Sequence, residues 1–78
     1  MNKEQTLVLF GERVRKLRLE KNLSQRKLAD IMGKDHPAIS LLENGKTNPS
    51  FWFLLELSDA LEINIDELVK GFDLPTKP

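Results

Sequence analysis

The stretch between residues 23 and 46, LSQRKLADIMGKDHPAISLLENGK, constrains the fold of this chain more than any other part of the sequence. Ser24 suits a helix N-cap, because its hydroxyl accepts a backbone N–H that has no partner inside the helix. Gly33 tolerates the left-handed conformation that ends a helix. Asp35 is placed to cap a second helix, near whose start Pro37 costs little. The stretch therefore predicts two short helices joined by a tight turn.

Both predicted helices carry an apolar stripe at helical spacing. In the first helix the stripe is Leu28, Ala29 and Met32, and in the second it is Ile39 and Leu42. Two helices joined by a glycine-containing turn form the layout of a helix-turn-helix, whose second helix enters the major groove of DNA. We place this motif at about residues 24–44.

The size and composition of the chain limit what supports the fold. Its 78 residues predict one small domain, residues 1–78, with a short tail at 72–78. The sequence has no cysteine and only one histidine, His36, so disulfides, thiolate metal sites and multi-histidine metal sites are excluded. The N-terminal segment is too short and too charged for a signal peptide or a membrane span. We therefore expect a cytoplasmic protein with no metal, cofactor or membrane partner.

Charge is distributed unevenly along the chain although the formal net charge is zero. Residues 1–30 hold eight basic and four acidic residues, whereas residues 31–78 hold four basic and eight acidic residues. Such a split indicates that one face meets a polyanion while another faces away. The alternative is that both sets of charges lie on ordinary solvated helix faces.

Helical patterns also flank the predicted motif. A first helix is expected over about residues 5–21, and a fourth helix, capped by Ser50, over about residues 51–61. A capping box at Asn64 and Glu67 opens a short fifth helix that Gly71 ends. The side chains expected to face inward are Leu7, Phe10, Val14, Leu17, Phe51, Leu54, Leu55 and Leu61. The C-terminal tail is expected to fray, or to pack only through Phe72 and Leu74. The predicted fold is all-α, with five short helices around one core.

Several short motifs follow one another over roughly residues 10–71. They are Arg18, LSQ at 23–25, Leu28-Ala29, Gly33, Ile39-Ser40, Glu43-Asn44-Gly45-Lys46, Pro49-Ser50, Leu54-Leu55 and the segment 64–68. In this order and spacing they resemble a lambda-repressor/Cro-type helix-turn-helix domain of the XRE family, as found in phage repressors and restriction-modification controllers. The resemblance implies a five-helix, lambda-repressor-like DNA-binding domain.

The resemblance also implies roles for residues around the helix pair. Ser24 and Gln25 match the start of a helix that contacts a DNA phosphate, and Gln25 matches a glutamine that braces the recognition helix. Asn44 and Lys46 match positions that contact the DNA backbone beyond that helix. Contacts of this kind set position and affinity rather than sequence choice. The alternative for Ser24 and Gln25 is simple capping and solvation.

Arg18 and Glu43 match a pair that this family commonly joins as a structural ion pair between the first and third helices. Removing one partner of a partly buried pair costs on the order of 3 kcal/mol.

The outward positions of the third helix are the candidates for reading DNA bases. We assign this role to His36, Pro37, Ala38, Ser40 and Leu41. The alternative is that His36 only caps or solvates the helix start and that Leu41 packs against a neighbour. The set departs from the family pattern, because it contains no glutamine for a bidentate adenine contact and no arginine for guanine. Sequence-dependent DNA shape is therefore expected to contribute to specificity.

Three consecutive aromatic residues open the fourth helix, and they cannot all face one stripe. We expect Phe51 in the core and at least one of Trp52 and Phe53 partly exposed, where an aromatic side chain suits a protein contact. The resemblance implies a homodimer formed through the fourth and fifth helices. The candidate interface residues are Trp52, Phe53, Ile63, Ile65 and Val69.

These observations favour a sequence-specific DNA-binding transcriptional regulator that binds double-stranded DNA with an inverted repeat as a dimer, without a small-molecule effector. The alternative is an antitoxin-like or other protein-binding module on the same fold. An enzyme is disfavoured, since Asp66-Glu67 is a helix-capping pair and no glycine-rich phosphate loop is present.

Overall fold

The computed structural model describes residues 2–72, and these form five α-helices. They are α1 (Lys3–Glu20), α2 (Gln25–Met32), α3 (His36–Glu43), α4 (Phe51–Ala60) and α5 (Ile65–Val69). The predicted all-α fold is confirmed over this range. Residues 73–78, including Leu74, lie outside the described part. None of the described helices is long and apolar enough to cross a membrane.

The first helix begins earlier than predicted because of a cap that the sequence analysis did not use. The Asn2 side chain accepts from the backbone N–H of Gln5 at 2.8 Å, and the Gln5 side chain accepts from the Asn2 N–H at 3.1 Å. This reciprocal capping box satisfies two donors at the helix start. Asn2 therefore moves the start of α1 back to Lys3.

Serine caps begin α2 and α4 as predicted. The Ser24 hydroxyl accepts from the Lys27 N–H at 3.0 Å, and the Ser50 hydroxyl accepts from the Phe53 N–H at 3.0 Å. Asp35 occupies the N-cap position of α3, but its side chain makes no capping hydrogen bond, so that part of the prediction was wrong.

Every helix contributes to one apolar core. Its buried members are Phe10, Val14, Leu28, Ala29, Ile39, Leu42, Leu57, Leu61 and Leu68. Burying a side chain of this size contributes roughly 1.5–3 kcal/mol. Among residues 2–72, no buried polar side-chain atom lacks a hydrogen-bond partner. The core therefore adds apolar burial without the cost of unpaired polar groups.

A glycine allows α1 to approach the C-terminal end of α3. A Cβ atom added at Gly11 would lie 2.4 Å from the carbonyl oxygen of Glu43 and 2.6 Å from that of Leu42. Both contacts are with backbone, which cannot rotate away. Gly11 therefore sets how closely the two helices pack.

Arg13 and Phe72 connect α5 to α1. The Arg13 guanidinium donates to the carbonyl oxygen of Leu68 at 3.2 Å and also to that of Lys70. It also lies 4.5 Å from the centre of the Phe72 ring, a cation–π contact. The Phe72 ring meets Phe10 edge-on, with ring centres 6.0 Å apart. Of the two alternatives expected for the tail, fraying or packing, Phe72 shows packing.

The aromatic residues at the start of α4 are placed differently from the prediction. Phe51 is 68% exposed and Trp52 is 69% exposed, so the assignment of Phe51 to the core was wrong. The buried residues of α4, Leu57 and Ser58, lie in its second half, whereas Phe51 and Trp52 at its N-terminal end face solvent. Phe53 is partly buried against the core instead.

Candidate nucleic-acid interface

A glycine turn fixes the angle between α2 and α3. Gly33 has φ +67° and ψ +31°, and its N–H donates to the carbonyl oxygen of Asp30 at 3.2 Å. The N–H of Lys34 donates to the carbonyl oxygen of Ala29 at 2.9 Å. This pair of bonds is a Schellman motif, which satisfies carbonyls at the end of a helix. The role predicted for Gly33 is confirmed.

A buried ion pair ties α1 to the end of α3. The Arg18 guanidinium forms two parallel hydrogen bonds to the Glu43 carboxylate, 2.6 Å from Nε to Oε2 and 3.0 Å from Nη2 to Oε1. Its Nη1 donates to the carbonyl oxygen of Leu23 at 2.7 Å. Hydrogen bonding to Glu43 raises the pKa of Arg18 above its ordinary value, against the opposing effect of burial. The bidentate geometry therefore fixes the guanidinium against the carboxylate.

Gln25 adds the first residue of α2 to this ion pair. Its Nε2 atom donates to Oε1 of Glu43 at 3.0 Å. We call Arg18, Gln25 and Glu43 the three-helix clamp, since one residue comes from each of α1, α2 and α3. A side-chain amide nitrogen carries two hydrogens, so one remains for a second acceptor such as a phosphate oxygen.

The start of α2 also offers unpaired backbone donors. Ser24 accepts the N–H of Lys27, but the N–H groups of Gln25 and Arg26 have no hydrogen-bond acceptor within residues 2–72. Such groups attract anions at a helix N-terminus. The geometry is compatible with the phosphate contacts predicted for Ser24 and Gln25, which stay predictions.

The predicted base-reading residues all lie on the accessible side of α3. Pro37 and Leu41 are exposed, and His36, Ala38 and Ser40 are half-buried. The intervening Ile39 and the following Leu42 are buried in the core. None of the five makes a side-chain hydrogen bond within the described residues, so the polar atoms of His36 and Ser40 remain available. Their base-reading roles stay predictions.

The two residues predicted to contact the DNA backbone beyond α3 lie on a tight turn. Asn44 and Lys46 are exposed and flank Gly45, whose φ is +71°. A Cβ atom at Gly45 would lie 2.8 Å from the Cα of Val8 on α1. Packing against α1 therefore holds the turn, and the two phosphate contacts stay predictions.

A polar recess joins several of these positions. Its volume is about 340 Å³, and its lining residues are Val8, Glu12, Arg15, Arg18, Gln25, Glu43 and Asn44. Three separate elements contribute to it, namely α1, the start of α2 and the end of α3. No local sequence pattern reports such an assembly.

The predicted dimer residues do not share one environment. Trp52 is 69% exposed and Val69 is 38% exposed. Phe53, Ile63 and Ile65 are partly buried and pack against the core. The apolar surface open to a partner is therefore smaller than predicted on α5. It is larger on α4, where Phe51 is exposed.

Comparison with known proteins places these features in a family. A helix-turn-helix family model, HTH_3, matches residues 14–68. The crystal structure of the restriction-modification controller protein C.AhdI from Aeromonas hydrophila superposes with a TM-score of 0.78 at 44% identity. The match covers 80% of this chain and 94% of that one.

Two curated relatives from Bacillus subtilis are also similar. The uncharacterised HTH-type transcriptional regulator YqaE is 35% identical over 63 residues, which cover 81% of this chain and 54% of YqaE. The SPbeta prophage-derived HTH-type transcriptional regulator YonR, also uncharacterised, is 39% identical over 70 residues, covering 85% of this chain and 65% of YonR. The chain thus spans between half and two thirds of the length of these relatives.

Proposed function

The chain belongs to the helix-turn-helix family, and from this we propose that it is a sequence-specific DNA-binding transcriptional regulator of the XRE type. The observation that carries the proposal is the three-helix clamp. It fixes α3 against α1 and α2 while the outer side of α3 makes no internal side-chain hydrogen bonds within residues 2–72. A rigidly held helix with an accessible outer side suits insertion into the major groove. Residues 1–78 act as one domain, in the cytoplasm and without a catalytic step.

The proposal assigns two kinds of contact to the DNA. Ser24, Gln25, Asn44 and Lys46 contact phosphates and fix the register of the protein on the duplex. The base edges are contacted by His36, Pro37, Ala38, Ser40 and Leu41. Only His36 and Ser40 in this set carry side-chain hydrogen-bonding groups, so much of the specificity comes from DNA shape and from apolar contacts with thymine methyl groups.

We further propose that two copies pair through α4 and α5. Exposed apolar residues support this arrangement, above all Trp52 and the neighbouring Phe51, with Val69 on α5. Aromatic residues are enriched at the centres of protein interfaces. A two-fold dimer presents two recognition helices about 34 Å apart, one turn of DNA, and so binds an inverted repeat.

DNA binding is tested with a duplex selected from a random-sequence library by the wild-type chain. We expect the logarithm of the affinity to fall steeply and linearly with the logarithm of salt concentration, because phosphate contacts release counterions. Lys46→Gln is expected to reduce that slope by about one. Lys16→Gln removes the same charge from an exposed position on α1 and is expected to leave the slope unchanged. A wild-type chain that binds no duplex at ~50 mM salt contradicts the proposal.

The dimer is tested by analytical ultracentrifugation. Trp52→Ala is expected to weaken self-association about tenfold or more, since large aromatic residues at an interface centre contribute over ~1.4 kcal/mol. Leu19→Ala is the control, because Leu19 is an exposed apolar residue on α1, 52% accessible, and is outside the proposed interface. A wild-type chain that stays monomeric when bound to its selected duplex contradicts the dimer but not DNA binding.

A second candidate is an antitoxin-like or other protein-binding module. The observation that favours it is the exposure of both Phe51 and Trp52, which exceeds what scattered surface apolar residues show. A folded chain that binds no DNA at low salt would favour this candidate.

A further inference from the structure

Arg15 on α1 lies beside residues that the proposed function assigns to the DNA backbone. It is exposed and lines the polar recess together with Gln25 of α2 and Asn44 at the end of α3. The recess therefore connects α1 to both ends of the helix pair. The resemblance assigns no role to Arg15, which belongs to none of the family motifs.

The guanidinium of Arg15 is uncommitted within the described residues. Arg18 is the other arginine of the recess, and its guanidinium is committed to Glu43 and to the carbonyl oxygen of Leu23. Arg15, by contrast, makes no hydrogen bond and no ion pair between residues 2 and 72. An arginine presents several donors in a planar fork that matches phosphate oxygens.

The other charges of the recess determine what Arg15 can attract. The Glu43 carboxylate is neutralised by Arg18 and also accepts from Gln25. The remaining acid is Glu12, which is exposed and lies three residues before Arg15 on the same helix. Residues three apart on a helix are neighbours, so Glu12 repels a phosphate that approaches Arg15.

We propose that Arg15 is a further DNA-phosphate contact, which extends the backbone-binding surface from the helix-turn-helix onto α1. This inference rests on the proposed function. The phosphate lies at the mouth of the recess, within reach of Arg15 and of the amide hydrogen that Gln25 does not use for Glu43. Glu12 opposes this contact and limits its strength.

The first experiment compares Arg15→Gln with Lys16→Gln on the selected duplex. Both variants remove one positive charge from adjacent exposed positions of α1, so they change the overall charge equally. Lys16 borders other grooves of the surface but not the recess. We expect Arg15→Gln to weaken binding about eightfold at 0.1 M salt and to reduce the salt slope by about 0.9, the value for one phosphate contact. Lys16→Gln is expected to leave the slope unchanged.

The second experiment removes a negative charge instead of a positive one, so the expected change in affinity for the duplex has the opposite sign. Glu12→Gln removes the acid beside Arg15, whereas Glu20→Gln removes one acid from the same helix outside the recess. We expect Glu12→Gln to tighten binding and Glu20→Gln to change it much less. In the Arg15→Gln background, Glu12→Gln is expected to lose most of its effect.

The outcomes separate this inference from the proposed function. If Arg15→Gln binds with the wild-type slope while the wild type binds the duplex, the inference is overturned and the proposed function stands. If Arg15→Gln and Lys16→Gln weaken binding equally, the effect is one of overall charge, and the inference is also overturned. If the wild type binds no duplex at low salt, both fail. Equal urea midpoints for the four single variants, the double variant and the wild type show that folding is unaffected.

Discussion

The two sides of α3 differ in how much of their chemistry is used inside the protein. The inner side is buried at Ile39 and Leu42 and ends at Glu43, whose carboxylate accepts three hydrogen bonds from α1 and α2. The outer side carries His36 and Ser40, whose polar atoms make no contact of this kind in the part of the chain that the structure describes. The eight-residue helix α3 therefore has an inner side that is buried and hydrogen-bonded to the rest of the fold, and an outer side whose polar side-chain atoms make no such bonds within the described residues.

Because of this difference, the residues that orient α3 are not the residues that we propose contact DNA bases. The orientation of α3 depends on the three-helix clamp and on the close approach at Gly11, which lie away from the outer side. If the outer side contacts DNA as proposed, changes there are expected to alter sequence recognition without altering how the helix is held. Changes on the inner side act first on stability and only then on any binding.

The largest expected effect is on the inner side. Glu43→Ala leaves the buried guanidinium of Arg18 without its carboxylate, and the expected loss is about 3–5 kcal/mol of the free energy of unfolding. Glu56→Ala is the matched control, because Glu56 forms an ion pair of 3.1 Å with Lys34 whose side chains are about one third exposed. The expected loss there is below about 1 kcal/mol. Urea denaturation measures both losses. Similar losses for the two variants would contradict the larger contribution expected from the buried Glu43 than from the partly exposed Glu56.

An intermediate effect is expected at the contact between α1 and α3. Gly11→Ala places a methyl group against two backbone carbonyls, and we expect a loss of about 1–3 kcal/mol from overpacking. Gly33→Ala is a useful comparison, because no atom lies within 4 Å of the added Cβ but φ is +67°. Only the left-handed backbone is then penalised, by roughly 1 kcal/mol. Thermal and urea unfolding measure both losses. A much larger loss of stability for Gly33→Ala than for Gly11→Ala would contradict the close approach of α1 and α3 at Gly11.

The smallest effect on stability is expected on the outer side. His36→Ala removes a half-buried side chain without an internal hydrogen bond, so the free energy of unfolding should change by no more than about 0.5 kcal/mol. Its affinity for the selected duplex should nonetheless fall, with about 1 kcal/mol less discrimination at one base pair. Competition binding with single-base variants of the duplex measures this. A large loss of stability would show that His36 helps to hold α3 against the rest of the fold.

The features predicted correctly from the sequence depend on neighbouring residues. Ser24, Ser50 and Gly33 act through backbone groups within a few positions, so their local sequence is sufficient. Phe51 was assigned wrongly because its spacing from Leu54 satisfies the helical pattern, yet Phe51 faces solvent at the N-terminal end of α4 while Leu54 packs against the core. Gly11 gave no signal, since the close approach of two helices is a property of the folded chain.

The candidate site also contains residues that sequence motifs predict and residues that they do not. Family motifs named Arg18, Gln25 and Glu43, and the structure places them in contact. Arg15 carries no motif, and its position beside Gln25 and Asn44 depends on how α1 packs. Periodicity along one helix cannot report which residues of another helix lie across from it.

Gly11 and Arg18 are seven residues apart, two turns along the same side of α1, and both meet the end of α3. A steric change at one position therefore acts on an electrostatic contact at the other. A side chain at position 11 displaces the helix that carries the guanidinium, so part of the free energy lost by Gly11→Ala is that of the ion pair itself. We therefore expect the two sites to be thermodynamically coupled, so that the losses from Gly11→Ala and Glu43→Ala sum to more than the loss in the double variant.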